Sequence, residues 1–446
     1  MRFFCHSEHG GLLWLARRLQ ADGHDVRLWV QHGQAGQGLV PGAPGPYPAD
    51  EEVVVVDGPP SRAAALRRPG QRVIGNNALG AEVAYDPAAA LRRLRVAGLR
   101  LADPRVFHDV RAAKAFLATH PGRWVVEAAE AGFTADGDHD AVRRWLGWAG
   151  TGLRDGFTLR RYVPGHAVGV AGWFNGERWV PPFVAVLTDP RAQTGDLGPV
   201  TGTEATCVWA LEGEQPALAR ATLLHFTAAL RAAHYVGALT LRAVVDGDGA
   251  GALTALGFVD RLPGDAFMGW ALLLAGDLGT QLAAFARGSL RRWDARTHVR
   301  ALTLRVTTPP YPVEPPDARA VAGLPLDPHL LDDPRAVFVQ DVRADRAGEP
   351  VLAGVDGHAC TVGHTALDWW ALRDGALGKA KKLAIPDKQY RTDPVLHAEA
   401  AWSALREVRD RRATAPPLRA PTGFPARPSR DGDADASEPP PAPSVT

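Results

Sequence analysis

Three stretches hold residues whose types and spacing could do chemistry. "TGDLGPVTG" sets Asp196 among Gly198, Thr201 and Gly202. Glycines let a backbone approach a ligand closely, and bare N–H groups then bind anionic oxygens. "DRLPGDA" carries Arg261 and Asp265. A guanidinium grips a phosphate or carboxylate with two parallel hydrogen bonds. "HSEHGG" places Gly10 and Gly11 ahead of a helical pattern, where a helix N-terminus can receive an anion. Asp196, Arg261 and Asp265 are expected to converge on a small charged ligand, with Arg261 on its anionic group. A purely structural salt bridge among them is the competing reading.

The elements that must position these residues follow from periodicity. "RFFC", "DVRLWV", "EEVVVVDG" and "RVIGNN" read as strands, with a helix over "LLWLARRLQADG". The unbroken valines suit a parallel strand buried on both faces. This rhythm predicts a doubly wound α/β domain over residues 1–80. From residue 81 to 298 helices and alternating strands mix as α+β lobes. "QPALARATLLHFTAALRAAHYVG" reads as one amphipathic helix, and "ALTLRAVVDGDGAGALTALGFVDRL" as a hairpin. Residues 299–412 read as a β-rich module closed by a helix that starts at "ALDWW", with Trp369 and Trp370 in its core. Residues 413–446 are rich in proline and small residues and are expected to be disordered.

Composition excludes several function classes. The chain has 446 residues, 46% hydrophobic and 22% charged, with a net charge of +1. No global field attracts nucleic acid or an anionic membrane. Cys5, Cys207 and Cys360 are three and far apart, which argues against a disulfide framework and for a reducing compartment. No apolar run reaches the roughly 20 residues that span a bilayer. A cytoplasmic location is expected. His6 and His9 lack a third nearby ligand, so a metal site there is not expected. Four of the five lysines lie in "KAKKLAIPDK" (379–388), read as an exposed loop unless it meets phosphate or an acidic partner.

The order of parts, together with "GWFNGERWVPPF" and "GDLGPVTG", resembles an ATP-grasp ligase. The segment resembles that of phosphoribosylamine–glycine ligase of purine biosynthesis, whose motif reads approximately G-D-x-G-P-N-T-G-G-M-G. Gly195, Asp196, Gly198, Pro199, Thr201 and Gly202 match, whereas Val200 and Thr203–Ala205 depart. "VTTPPYP" and "YRTDPVLHAEAAW" extend the likeness toward the C-terminus. The resemblance implies the ATP-grasp architecture, with an N-terminal doubly wound domain and a C-terminal β-rich module. It also implies Mg-ATP as cofactor and the joining of a carboxylate to an amine.

The residues that such chemistry needs are altered. Phosphoryl transfer requires cations on the phosphates and oxygen ligands for Mg²⁺. Where the resemblance implies a phosphate-binding lysine, the chain has Glu127, followed by Glu130, Asp136, Asp138 and Asp140; no lysine lies between Lys114 and Lys379. A carboxylate against polyphosphate costs on the order of several kcal/mol. In "LGFVDRLPGDA", Gly257 and Val259 replace the implied metal ligands, and Asp260 faces the other way. In "RRYVPGHA", Arg160 and Arg161 replace the carboxylates of the nucleotide hinge, and Ala167 a later one. The expectation is a kept fold with a dismantled ATP site, acting through a small charged metabolite or an active ligase paralogue. The alternatives are a ligase with altered nucleotide or metal use, which would keep Mg-ATP, and an assembly protein.

Overall fold

A computed structural model describes residues 1–128, 133–153, 156–213, 216–245, 253–259, 265–312 and 321–413. Strands β1 (Arg2–Ser7), β2 (Asp25–Val30), β3 (Val53–Val56) and β4 (Arg72–Ile74) make a parallel sheet ordered β2-β1-β3-β4. Side chains alternate between its faces. Phe4, Val54 and Val73 pack with Ala63 and Leu66 of helix α2 (Pro60–Leu66). Phe3, Cys5, Val53 and Val55 join the main core with Leu12–Leu19, which includes helix α1 (Leu13–Ala21). Both faces are thus covered, which is why the valine run is unbroken. Helix α3 (Ala78–Tyr85) starts at an Asn77 cap and helix α4 (Pro87–Val96) at an Asp86 cap with proline at its first position.

A small lobe follows. Strands β5 (Arg105–Phe107), β6 (Arg123–Ala128), β7 (Phe133–Asp138) and β8 (Phe157–Arg161) form an antiparallel sheet ordered β5-β8-β6-β7. Helices α5 (Val110–Thr119) and α6 (His139–Ala149) close a separate core around Trp124, Leu146 and Leu159. The carboxylates after Glu127 are used locally. Asp138 caps α6 through the Ala141 amide at 2.7 Å, Asp136 pairs with Arg123 at 2.5 Å, and Asp140 with Arg143 at 3.2 Å. Glu130 lies outside the described residues.

The large lobe is built on β9 (His166–Asn175), β10 (Trp179–Arg191), β11 (Val200–Ala210), β12 (Val236–Val245) and β13 (Leu253–Val259). To these are added β14 (Arg300–Thr307), β15 (Val337–Val339) and β18 (His358–Ala366), while β16 (Val342–Ala344) and β17 (Pro350–Leu352) pair separately. The eight strands run β13-β12-β9-β10-β11-β14-β18-β15, all pairs antiparallel. The sheet therefore crosses residue 298 without a break, because β14 bonds to β11 on one side and β18 on the other. The described chain up to residue 413 lies within one compact unit; residues 414–446 fall outside the description.

Two expectations are corrected. The helix over residues 215–237 is instead α7 (Ala217–Arg220), a 3₁₀ turn (Leu223–Phe226) and α8 (Thr227–Ala232). Thr222 breaks it: the residue is fully buried, leaves helical dihedrals (φ −132°, ψ −88°), and its Oγ1 donates to the Leu218 carbonyl at 2.7 Å. On helix α11 (Trp369–Lys382), following α9 (Ala266–Leu273) and α10 (Leu278–Ala286), Trp369 is buried against Trp209 and Trp402, but Trp370 is 73% exposed. Lysines of the basic stretch serve structure: Lys388 Nζ donates to the Ala380, Lys381 and Leu383 carbonyls at the end of α11, and Lys379 Nζ to the Gly363 carbonyl. A last helix, α12, spans Ala398–Ala413.

Candidate functional site

A cavity of about 530 Å³ opens at the C-terminal ends of β1, β3 and β4, the edge where open α/β sheets take ligands. Its other wall comes from the large lobe, including Trp173, Phe267 and Met268. Of the eight site residues expected from sequence, Gly11 and Asp265 line it. Asp196, Gly198, Thr201, Gly202 and Gly10 are not among the lining residues, and Arg261 lies outside the described residues.

The "HSEHGG" loop is already satisfied from within. Ser7 Oγ accepts from the Gly10 amide at 2.9 Å and donates to Asp57 Oδ2 at 2.8 Å, while Asp57 Oδ1 accepts from the Glu8 amide at 2.9 Å. A Cβ on Gly11 would stand 2.6 Å from Asp57 Oδ2. The Asp57 carboxylate thus occupies the position an external anion would take. Gly10 has φ +94°, and a Cβ there would meet that of Ala35 at 2.4 Å, so only glycine makes this turn.

Asp265 precedes helix α9 and is 2% exposed. Its carboxylate accepts from Arg305 Nε at 3.0 Å and Nη2 at 3.2 Å, and from Thr361 Oγ1 at 3.2 Å. Arg305 Nη1 donates to Tyr311 Oη at 3.2 Å, and Tyr311 donates to Glu204 Oε1 at 2.7 Å. Thr201 Oγ1 donates to that same Glu204 oxygen. One hydrogen-bonded chain therefore joins Thr201 to Asp265 through Glu204, Tyr311 and Arg305. Burial pushes the Tyr311 hydroxyl up to about 12.

His358 ends the chain, 2.9 Å from Thr361 Oγ1. Burial, then the nearby Arg305, lower its pKa to about 4, with Asp265 and Asp356 opposing. The folded protein holds the ring neutral, so as pH falls the unfolded chain takes up the proton first. Stability is full above pH 6.5 and is lost between pH 6.5 and 4 by on the order of 3 kcal/mol from this residue. His358→Gln is expected to flatten the stability–pH curve in that window, measured by urea unfolding; an unchanged slope refutes the assignment. His6, also lowered to about 4, adds a second contribution that this variant leaves intact.

The glycine-rich segment packs against the chain's own C-terminal part. Asp196 pairs with Arg391 Nη1 at 2.5 Å, and the Gly195 amide donates to Asp393 Oδ2 at 2.9 Å. The Thr194 and Thr392 hydroxyls meet at 2.9 Å. A Cβ on Gly198 would lie 2.2 Å from the Ala192 carbonyl oxygen, so this glycine serves a tight turn. Gly202 has φ +88° and open space around it.

Three of the positions that depart from what the resemblance implies, Glu127, Arg160 and Gly257, meet around Arg242. Glu127 on β6 stands opposite Thr158 of β8, and Arg160, two residues on, shares its face. Arg160 Nη2 donates to Glu127 Oε1 at 3.0 Å; Arg242 Nη2, from β12 of the large lobe, lies 3.7 Å from Glu127 Oε2. Arg242 pairs in register with Gly257, and its Nη2 is 3.5 Å from where a Gly257 Cβ would stand. Burial alone would raise the Glu127 pKa, but Arg242 and Arg160 outweigh it and hold the carboxyl below its usual range. Arg161 is used elsewhere, over the Trp124 ring and on the Pro121 carbonyl. Among the described residues no group of histidine, cysteine or carboxylate side chains is placed to hold a metal ion. The three cysteines are buried and free, and no described helix is long and apolar enough to cross a membrane.

No family model and no curated protein sequence matches the chain. Solved structures do. Phosphoribosylamine–glycine ligase from Thermotoga maritima aligns over 89% of this chain and 100% of its own, at 17% identity and a TM-score of 0.67. The biotin carboxylase domain of 2-oxoglutarate carboxylase from Hydrogenobacter thermophilus aligns over 92% and 95%, at 12% identity and a TM-score of 0.56. The L-amino acid ligase from Bacillus licheniformis aligns over 86% and 98%, at 12% identity and a TM-score of 0.51. The chain has the ATP-grasp fold that these proteins share.

Proposed function

We propose that this protein is a catalytically degenerate ATP-grasp protein, descended from phosphoribosylamine–glycine ligase, that acts by binding a small charged molecule rather than by ligation. The Glu127–Arg160–Arg242 cluster carries the reading. It sets a carboxylate where the resemblance implies the phosphate-binding cation. It also lays a guanidinium beside the glycine that replaces an implied metal ligand. Mg²⁺ requires oxygen ligands and polyphosphate requires cations. Here the two arginines are committed to Glu127. The cavity beside Asp265 and Arg305 remains as the place for the bound molecule.

Calorimetry with Mg·ATP is the test. The expected result is binding weaker than about 1 mM, less than about 4 kcal/mol. Micromolar affinity, or ATP hydrolysis that depends on an added carboxylate and amine, overturns the proposal in favour of an active ligase.

A further inference from the structure

We propose that the cavity binds an organic cation, an ammonium carried on a flat apolar body, and discriminates against phosphorylated molecules. This rests on reading the cavity as a binding site.

Charge is the first observation. The described lining residues include the carboxylates Glu8, Asp57 and Asp265, against one guanidinium, Arg305. Arg305 is held by both oxygens of Asp265, and the lining His358 is neutral at physiological pH. A negative balance between apolar walls focuses its field on whatever enters.

Available acceptors are the second. Asp57 is engaged by Ser7 and the Glu8 amide, so the grip falls to Glu8. The Glu8 carboxylate accepts no hydrogen bond among the described residues; its one ionic neighbour is His9 Nε2 at 3.9 Å. Gln340 lies against the same loop, with its backbone oxygen 3.7 Å from the Cβ position of Gly10. Its amide nitrogen reaches only Met268 Sδ, at 4.0 Å, and its side-chain oxygen accepts nothing among the described residues. An ammonium has three donors and no acceptor, which matches a carboxylate and an amide oxygen.

The third observation is the wall. Trp14, Tyr85, Trp173 and Phe267 line the cavity, with Phe267 edge-on to Trp14 at 5.1 Å. Aromatic faces favour both a flat apolar body and a cation. The anion receptor, by contrast, is closed: the Gly10 and Leu12 amides point to Ser7 Oγ, and the Asp57 carboxylate fills the loop. A phosphate would meet a carboxylate there instead of bare N–H groups.

The test is calorimetry of the full chain at pH 7.5 with three probes: tryptamine, indole-3-propionate and ribose 5-phosphate. Tryptamine is expected to bind saturably, and each anion at least about tenfold more weakly. Glu8→Gln is expected to weaken tryptamine by about tenfold without lowering the melting temperature. Ala238→Trp, set directly opposite Trp173 on the cavity wall, is expected to abolish binding. If an anion binds better than tryptamine and Ala238→Trp abolishes that binding, the cavity reading stands and the cation assignment is wrong. Tryptamine binding that ignores Glu8→Gln also overturns the assignment. If none of the three binds, or binding survives Ala238→Trp, the cavity reading falls with it.

Discussion

Asp265→Ala is expected to destabilise the protein by about 3–5 kcal/mol, the usual result of removing one partner from a buried ion pair. The Asp265 side chain is 3% exposed and that of Arg305 only 17%. Without the carboxylate, the guanidinium keeps Tyr311 Oη as its hydrogen-bond partner and no counter-ion among the described residues. Replacing the pair together, Asp265→Leu with Arg305→Met, is expected to recover most of the loss, since no charge is then left uncompensated. Urea unfolding of the two variants decides the matter. A loss below about 1 kcal/mol for Asp265→Ala shows that water reaches the guanidinium. The double variant serves a further end, because both residues line the cavity. If it folds and still binds the cavity ligand, the pair is scaffold; if it folds and binding is gone, the pair belongs to the site.

Glu127→Ala is expected to cost about 2–3 kcal/mol and to loosen the contact between small and large lobes. Arg160 carries this cost: its side chain is 11% exposed, and its Nε already lacks a partner among the described residues. Arg242, at 44%, is left to solvent and contributes little. Hydrogen exchange is the informative measurement: amides of β6 and β8 should lose protection while those of β1 and β3 keep theirs. Uniform protection across both lobes would mean that the cluster does not join them. Because the Glu127 pKa is held below 4.5, its contribution is fully present above that value and fades only as pH falls further.

Local pattern made much of this fold readable. Period-two alternation located β8 through β10, the hairpin pattern located β12 and β13, and the valine run located β3, because burial writes directly into residue type. The long amphipathic segment misled, because its apolar spacing is helical while one buried hydroxyl, Thr222, takes a backbone carbonyl and turns the chain. In the sequence, Glu127, Arg160 and Gly257 each stood out alone, as departures from what the resemblance implies. That Glu127 and Arg160 share a face, and that Arg242 reaches them from another sheet beside Gly257, depends on pairing between distant strands. The link among Arg305, Tyr311 and Glu204 was hidden for the same reason. Each is an ordinary polar residue on a strand or turn until packing brings the three together. Asp57 could not be seen as the occupant of the "HSEHGG" loop, because the loop's glycines read the same whether an anion comes from outside or from the next strand but one.

The uninterrupted large sheet has a consequence for biosynthesis. Ala205–Trp209 of β11 find their outer partners in Leu304–Arg300 of β14, so residues 205 and 304, 99 positions apart, must meet before that edge is paired. At about 5–20 residues per second, a ribosome releases β11 some 5–20 s before its neighbour exists. For that interval an apolar strand offers a row of unpaired backbone groups to any other nascent chain. The maturation of this protein should therefore lean on whatever shields emerging chains, far more than a protein whose sheets close hairpin by hairpin.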